Sequence, residues 1–203
     1  MGNIEKSLEE ITEIRAMMER ASKFISLSGM SGISAGIVAL GGAFIAHWIL
    51  GGGGGEMFPH QTFSLGVALV ILAIAVLLLA VGFSTLFTAR MARRLGVPLW
   101  DETAKSLVLA LVVPLAAGGG MCLVLLSHFL FSLLPSMMLV FYGLALVSAG
   151  KYTLGEVRYL GIVEVGIGLA AGLWPEWGLV LWGIGFGVLH IVYGIAMYMK
   201  YEK

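Results

Sequence analysis

Charge is what this chain most lacks. Only 12% of its residues are Asp, Glu, Lys or Arg, twelve bases balance twelve acids, and the mean hydropathy is +0.98. A water-soluble domain carries about 25% charged residues, so this composition does not coat a globule in water. The even balance also removes the basic excess on which nucleic-acid binding depends. Cysteine is nearly missing: Cys122 is alone, which excludes an intrachain disulfide and a CxxC redox or zinc motif. The first apolar run has no cleavable signal in front of it, because residues 1–23 are rich in Glu, Lys and Arg. HExxH, a phosphate loop and a nucleophile–base pair are missing as well. Ser127 and His128 are neighbours in sequence, which is not triad geometry. The expectation is a non-enzyme with no cofactor and no metal.

What the chain has instead is 59% hydrophobic residues and 29 glycines. Its charge-free runs cover 24–55, 57–89, 106–150 and 177–199. As one helix the run 106–150 would reach about 68 Å at about 1.5 Å per residue, more than twice a bilayer core of about 30 Å. It therefore folds back, and Ser127, His128, Pro135 and Ser136 mark the turn. A shorter span containing Glu164 ends in the turn Trp174, Pro175, Glu176, Trp177. The chain thus reads as all-α and polytopic, a domain 24–203 with six transmembrane helices at about 24–50, 63–89, 104–126, 136–150, 157–174 and 178–199. Ahead of it, Ile4, Leu8, Ile11, Ile14 and Met18 recur at helical spacing, so 1–23 reads as an amphipathic cytoplasmic helix. It either lies on the membrane surface or binds a partner. Its acidic excess, with Glu5, Glu9, Glu10, Glu13 and Glu19 against four bases, disfavours headgroup attraction.

Six spans put all twelve bases on one side. Lys6, Arg15, Arg20 and Lys23 precede span one, and Arg90, Arg93, Arg94 and Lys105 lie between spans two and three. Lys151 and Arg158 lie between spans four and five, and Lys200 and Lys203 follow span six. The positive-inside rule makes that side the cytoplasm and leaves both termini there. Asp101 is the expected N-cap of span three, with Glu102 beside it, and Pro114 with the run 118–120 predicts a kink or a thinned segment.

Glycine in membrane helices permits close backbone approach, because packing replaces the hydrophobic effect inside lipid. Gly32 with Gly36, Gly168 with Gly172, and Gly183 with Gly187 make GxxxG pairs. Gly161, Glu164 and Gly168 share one face of span five, as Gly187, His190 and Gly194 share one face of span six. Glu164, His190 and Tyr193 fall at about 10, 14 and 9 Å from the cytoplasmic ends of their helices at about 1.5 Å per residue, so they can meet. An intramembrane carboxylate is a functional-site hypothesis by default. The candidate is a polar pocket of Glu164, His190 and Tyr193, with Arg158, Lys151 and Tyr152 at its mouth and Ser26, Ser28, Ser31 and Ser34 supplying hydroxyls. The alternative is that Glu164 and His190 only fix helix register. His47, His60 and His128 map to the opposite side, where their spacing specifies neither metal nor haem.

Three segments, 19–36 (ERASKFISLSGMSGISAG), 151–169 (KYTLGEVRYLGIVEVGIGL) and 185–202 (GFGVLHIVYGIAMYMKYE), resemble an uncharacterised family of small bacterial six-span integral membrane proteins with no known activity. The resemblance implies a multi-pass protein of the bacterial inner membrane and assigns no ligand. The leading expectation is a non-catalytic scaffold, sensor or accessory subunit. Its partners are the lipid bilayer, a homo-oligomer or larger membrane complex, and a cytoplasmic protein, with no nucleic acid. A small proton- or ion-linked transporter using the Glu/His pair is second, and an intramembrane enzyme or haem protein third.

Overall fold

Residues 28–51 and 59–203 are described by a computed structural model, the first four of the second stretch by backbone alone. The amphipathic segment 1–23, Ser26 and the glycine-rich stretch 52–55 lie outside the described residues. Every regular element among the described residues is helical. They are α1 (Gly29–Gly51), α2 (Pro59–Leu95), α3 (Glu102–Ser127), α4 (Leu134–Ala149), α5 (Gly155–Leu173), α6 (Gly178–Trp182) and α7 (His190–Tyr201). Short 3-10 turns, Phe131–Leu133 and Pro175–Trp177, precede α4 and α6, and a π-helical segment, Gly183–Leu189, joins α6 to α7. Five stretches are long and apolar enough to cross a membrane: Gly29–Gly51, Phe63–Leu95, Glu102–Ser127, Phe131–Ala149 and Pro175–Tyr201. The chain is accordingly an all-α protein of multi-pass membrane character. Helix α5 is 19 residues long but carries Glu156, Arg158 and Glu164, which dilute its apolar composition.

Local chemistry sets the breaks. Asp101 is extended and accepts from the Ala104 amide at 2.7 Å, so the cap expected for α3 forms, and Glu102 pairs with Lys105 at 2.7 Å. Helix α3 runs unbroken through Pro114 to Ser127. There Phe129 takes a left-handed conformation (φ 58°) that reverses the chain, and Pro135 fits the first turn of α4, where its missing N–H costs no hydrogen bond.

The interior is built by backbone contact. Helix α4 packs along α5, α1 along α7 and the π-helical segment, and α6 against both α4 and α5, with α2 flanking α1 and α3 flanking α4. A Cβ placed on Gly161 would stand 2.6 Å from the Gly143 carbonyl, and one on Gly143 would stand 2.6 Å from the Gly161 carbonyl. In the second seam a Cβ on Gly36 would meet the Gly187 carbonyl at 2.6 Å, and Gly32 and Gly194 face each other across the same contact. Gly168 abuts Val140, Gly172 the Ser136 hydroxyl, and Gly183 only Ala43 at ordinary distance. The outer surfaces are apolar in the way lipid requires. Phe44 and Trp48 are more than 70% exposed, and the consecutive Leu77, Leu78 and Leu79 of α2 are each more than half exposed.

Ends of the helices sort into two edges. At one, Ser28 and Gly29 meet Glu202, and Glu156 meets Lys200. At the other, Gly178 lies against Pro135 and Gly66 against the Phe131 ring.

A methyl group tests the seam. Gly161→Ala is expected to lower thermal stability in detergent by about 1–3 kcal/mol, the usual cost of overpacking. Gly120→Ala, at a position with open space around it, is expected to be neutral or stabilising, since alanine is the better helix former by about 1 kcal/mol. Equal losses at the two positions would count against the packing role.

Candidate functional site

Glu164 projects from the middle of α5, between Gly161 and Gly168, and is completely buried. His190 opens α7, directly after the π-helical segment, and is 6% exposed. Their polar atoms meet, His190 Nδ1 standing 3.4 Å from Glu164 Oε1. The same nitrogen lies 3.1 Å from the Gly185 carbonyl, and Nε2 lies 2.7 Å from the Tyr142 hydroxyl of α4. A carbonyl only accepts, so the Nδ1–H points toward Gly185. In the neutral ring Nε2 then accepts from the Tyr142 O–H. Three separate helices therefore converge on one imidazole.

Small residues make this convergence geometrically feasible. The π-helical segment holds Gly183, Gly185 and Gly187, all buried, and a Cβ on Gly185 would stand 2.6 Å from Glu164 Oε2. A methyl group there would force the carboxyl and the Leu139 side chain to shift. π-Helical turns are rare and occur often at functional sites. Aromatic rings close over the cluster: Phe186 lies 4.8 Å from the Tyr142 ring and stacks on His190 at 6.0 Å, with Trp182 behind it at 5.1 Å. Neither oxygen of Glu164 has a hydrogen-bond partner among the described residues. A buried polar atom in that condition is uncommon and costs about 1–3 kcal/mol or more.

The other residues singled out in the sequence take different places. Tyr193 is half-buried one helical turn from His190, and its buried hydroxyl has no hydrogen-bond partner among the described residues. Tyr152 packs against the small cluster of Ala104, Leu107 and Ala149, Arg158 lies beside Gly150, and Lys151 is exposed. Ser28 donates to Glu202 at 3.0 Å, Ser31 to the Ser28 carbonyl at 2.5 Å and Ser34 to the Ser31 carbonyl at 3.0 Å, so these hydroxyls serve the edge of α1. Sequence reasoning missed Tyr142, Gly185 and Glu202. A lone tyrosine within the charge-free run 106–150 was the available signal for the first; the other two carried none.

At the edge a second polar group ties α7 to its neighbours. Glu156 accepts from Lys200 at 2.5 Å and from the Tyr201 hydroxyl at 3.0 Å. Glu202 accepts from the Ser28 hydroxyl and from the Gly29 amide, so a carboxylate from the end of α7 sits on the N-terminus of α1, where the helix dipole favours negative charge. Chemically, the inner cluster offers one carboxyl, one imidazole and one phenol, which suits holding and moving a proton. As a metal site it supplies two ligands, and among the described residues no third His, Cys, Asp or Glu joins them.

Removing the Tyr142 hydroxyl with Tyr142→Phe leaves the buried Nε2 unpaired, and thermal unfolding is expected to show a loss of about 1–3 kcal/mol. Tyr193→Phe deletes a hydroxyl that has no hydrogen-bond partner among the described residues and is expected to be neutral or slightly stabilising. A larger loss in the second variant than in the first would show that the hydrogen bonding has been misassigned.

No protein-family model, curated protein or solved structure matches this chain.

Proposed function

We propose that this chain is a six-span protein of the bacterial inner membrane, with both termini in the cytoplasm, that works as a non-catalytic scaffold or sensor. It presents the amphipathic helix at 1–23 and its basic loops to a cytoplasmic partner, as a homo-oligomer or as an accessory subunit of a larger membrane complex. The observation that carries this reading is the clasp of Glu202 on Ser28 and Gly29. Helix starts and ends that share an edge support an even number of crossings, with α5 as the sixth in this reading. Together with the Glu156 contacts, the clasp gathers the start of α1, the end of α7 and the start of α5 at one edge. Arg90, Arg93 and Arg94, at the end of α2, fall on the same side in this topology.

Enclosure of the inner cluster favours this reading over transport. Glu164 and His190 are walled by Tyr142, Phe186 and Leu139, and the groove lined by Trp174, Trp177, Val180, Leu181 and Ile184 is apolar. A transporter needs polar groups through both halves of the membrane.

Single-cysteine labelling in sealed cells tests the topology in a Cys122→Ala background. Arg93→Cys and Lys200→Cys are expected to resist impermeant maleimide from outside, whereas Glu176→Cys is expected to react. Labelling of Arg93→Cys and Lys200→Cys from opposite faces would overturn the six-span reading. For the scaffold role, a stoichiometric partner is expected to co-purify and to be lost when residues 1–23 are deleted. Proton flux in proteoliposomes that disappears in Glu164→Gln would replace scaffold by transporter.

A further inference from the structure

We propose that Glu164 and His190 together hold one exchangeable proton, and that Tyr142, Tyr193 and the Glu156–Tyr201 pair form the path connecting it to one edge of the bundle. The inference is independent of any partner.

A pair that served only to fix helix register would be fully hydrogen-bonded, since burial makes every unmet polar atom costly. Here the carboxyl is entirely buried, neither of its oxygens has a hydrogen-bond partner among the described residues, and the imidazole Nδ1 stands 3.4 Å from Oε1 with its N–H turned to the Gly185 carbonyl. Both carboxyl oxygens are therefore open to a proton. The π-helical turn and Gly185 make the space, because any side chain at 185 would displace the carboxyl.

Proton bookkeeping follows from the three groups. Unloaded, the site has a Glu164 carboxylate, a neutral imidazole with Nδ1–H toward the Gly185 carbonyl, and a Tyr142 O–H donating to Nε2. Its net charge of minus one is unmatched inside hydrocarbon, which is costly. Loading adds one proton and no electrons. Tyr142 passes its hydroxyl proton to Nε2 and takes the incoming proton on its own oxygen. The imidazolium then donates to the Tyr142 oxygen and faces the carboxylate, so the pair is neutral. The same proton can reside on the carboxyl instead, with the ring neutral and the total charge unchanged. Tyr142 is suited to the work because a phenol both donates and accepts.

Tyr193 supplies the next step. Its buried hydroxyl belongs to the same helix as His190, about one turn before it, and Tyr201, about two turns after it. Glu156 is hydrogen-bonded to Tyr201 and Lys200 at the partly exposed edge. The titratable group in contact with the pair is thus Tyr142 from α4, and Tyr193 follows His190 on α7. From Gly178 to Leu189 there is no titratable residue, and α1 carries only the exposed His47.

The test uses the full-length protein in lipid nanodiscs. Infrared difference spectra between acidic and alkaline buffer are expected to contain a buried carboxyl or imidazole signal that Glu164→Gln and His190→Gln abolish and Glu176→Gln retains. After a pH jump, Tyr193→Phe is expected to reach the same end point several-fold more slowly. Identical difference spectra in the wild type and Glu164→Gln would overturn the site, and an unchanged rate in Tyr193→Phe would overturn the path. Should Glu164→Gln fail to fold, 15N-histidine spectra of a chain in which His47, His60 and His128 are glutamine report His190 with its carboxyl intact. A ring signal that does not change with pH, together with a carboxyl band that does not change either, refutes the proposal.

Discussion

A carboxyl group without water is the constraint from which the rest of this architecture follows. Glu164 sits where no solvent reaches it, in a chain with little charge to offer in compensation. An isolated buried carboxylate is prohibitive, and a buried ion pair is tolerated only with close, well-oriented partners. The fold brings one imidazole to the carboxyl and a phenol from another helix to that imidazole, and it leaves both carboxyl oxygens without a hydrogen bond among the described residues. Those helices can approach only where side chains are absent.

Glycine therefore serves two purposes with one geometry. Across α4 and α5 the carbonyls of Gly143 and Gly161 lie where a methyl group would have to go, and the seam of α1 on α7 repeats the arrangement with Gly32, Gly36, Gly187 and Gly194. Inside lipid such contact is the main source of helix association. The same closeness delivers Tyr142 and His190 to Glu164, while Gly185 leaves room for the carboxyl itself. Packing and chemistry are coupled, and the π-helical turn is where they join: it is held by small residues and ends on His190.

Helix α7 links the interior to the edge. His190 is at one end of it, Tyr193 follows after one turn, and Lys200, Tyr201 and Glu202 reach α5 and α1 at the other end. Exposed ion pairs such as Lys200 with Glu156 contribute at most about 1 kcal/mol each. Their value is in fixing which helix ends share an edge, which for a membrane chain bears on topology more than on stability.

The amino-acid order by itself determined the all-helical, lipid-compatible character, the breaks near Ser127 and Trp174, the Asp101 cap, and the faces that carry Glu164 and His190. Those features depend on composition, period and local hydrogen bonding, all of which are properties of neighbouring residues. The order was silent on Tyr142, because an apolar run containing one tyrosine has the same hydropathy whether that ring faces lipid or an imidazole. It was silent on Glu202 for a related reason: a terminal acid looks like a solvated end until another helix start is brought to it. Tertiary structure alone decided these, since the partner of each group lies many residues away and only the packed glycine seams specify which helices become neighbours.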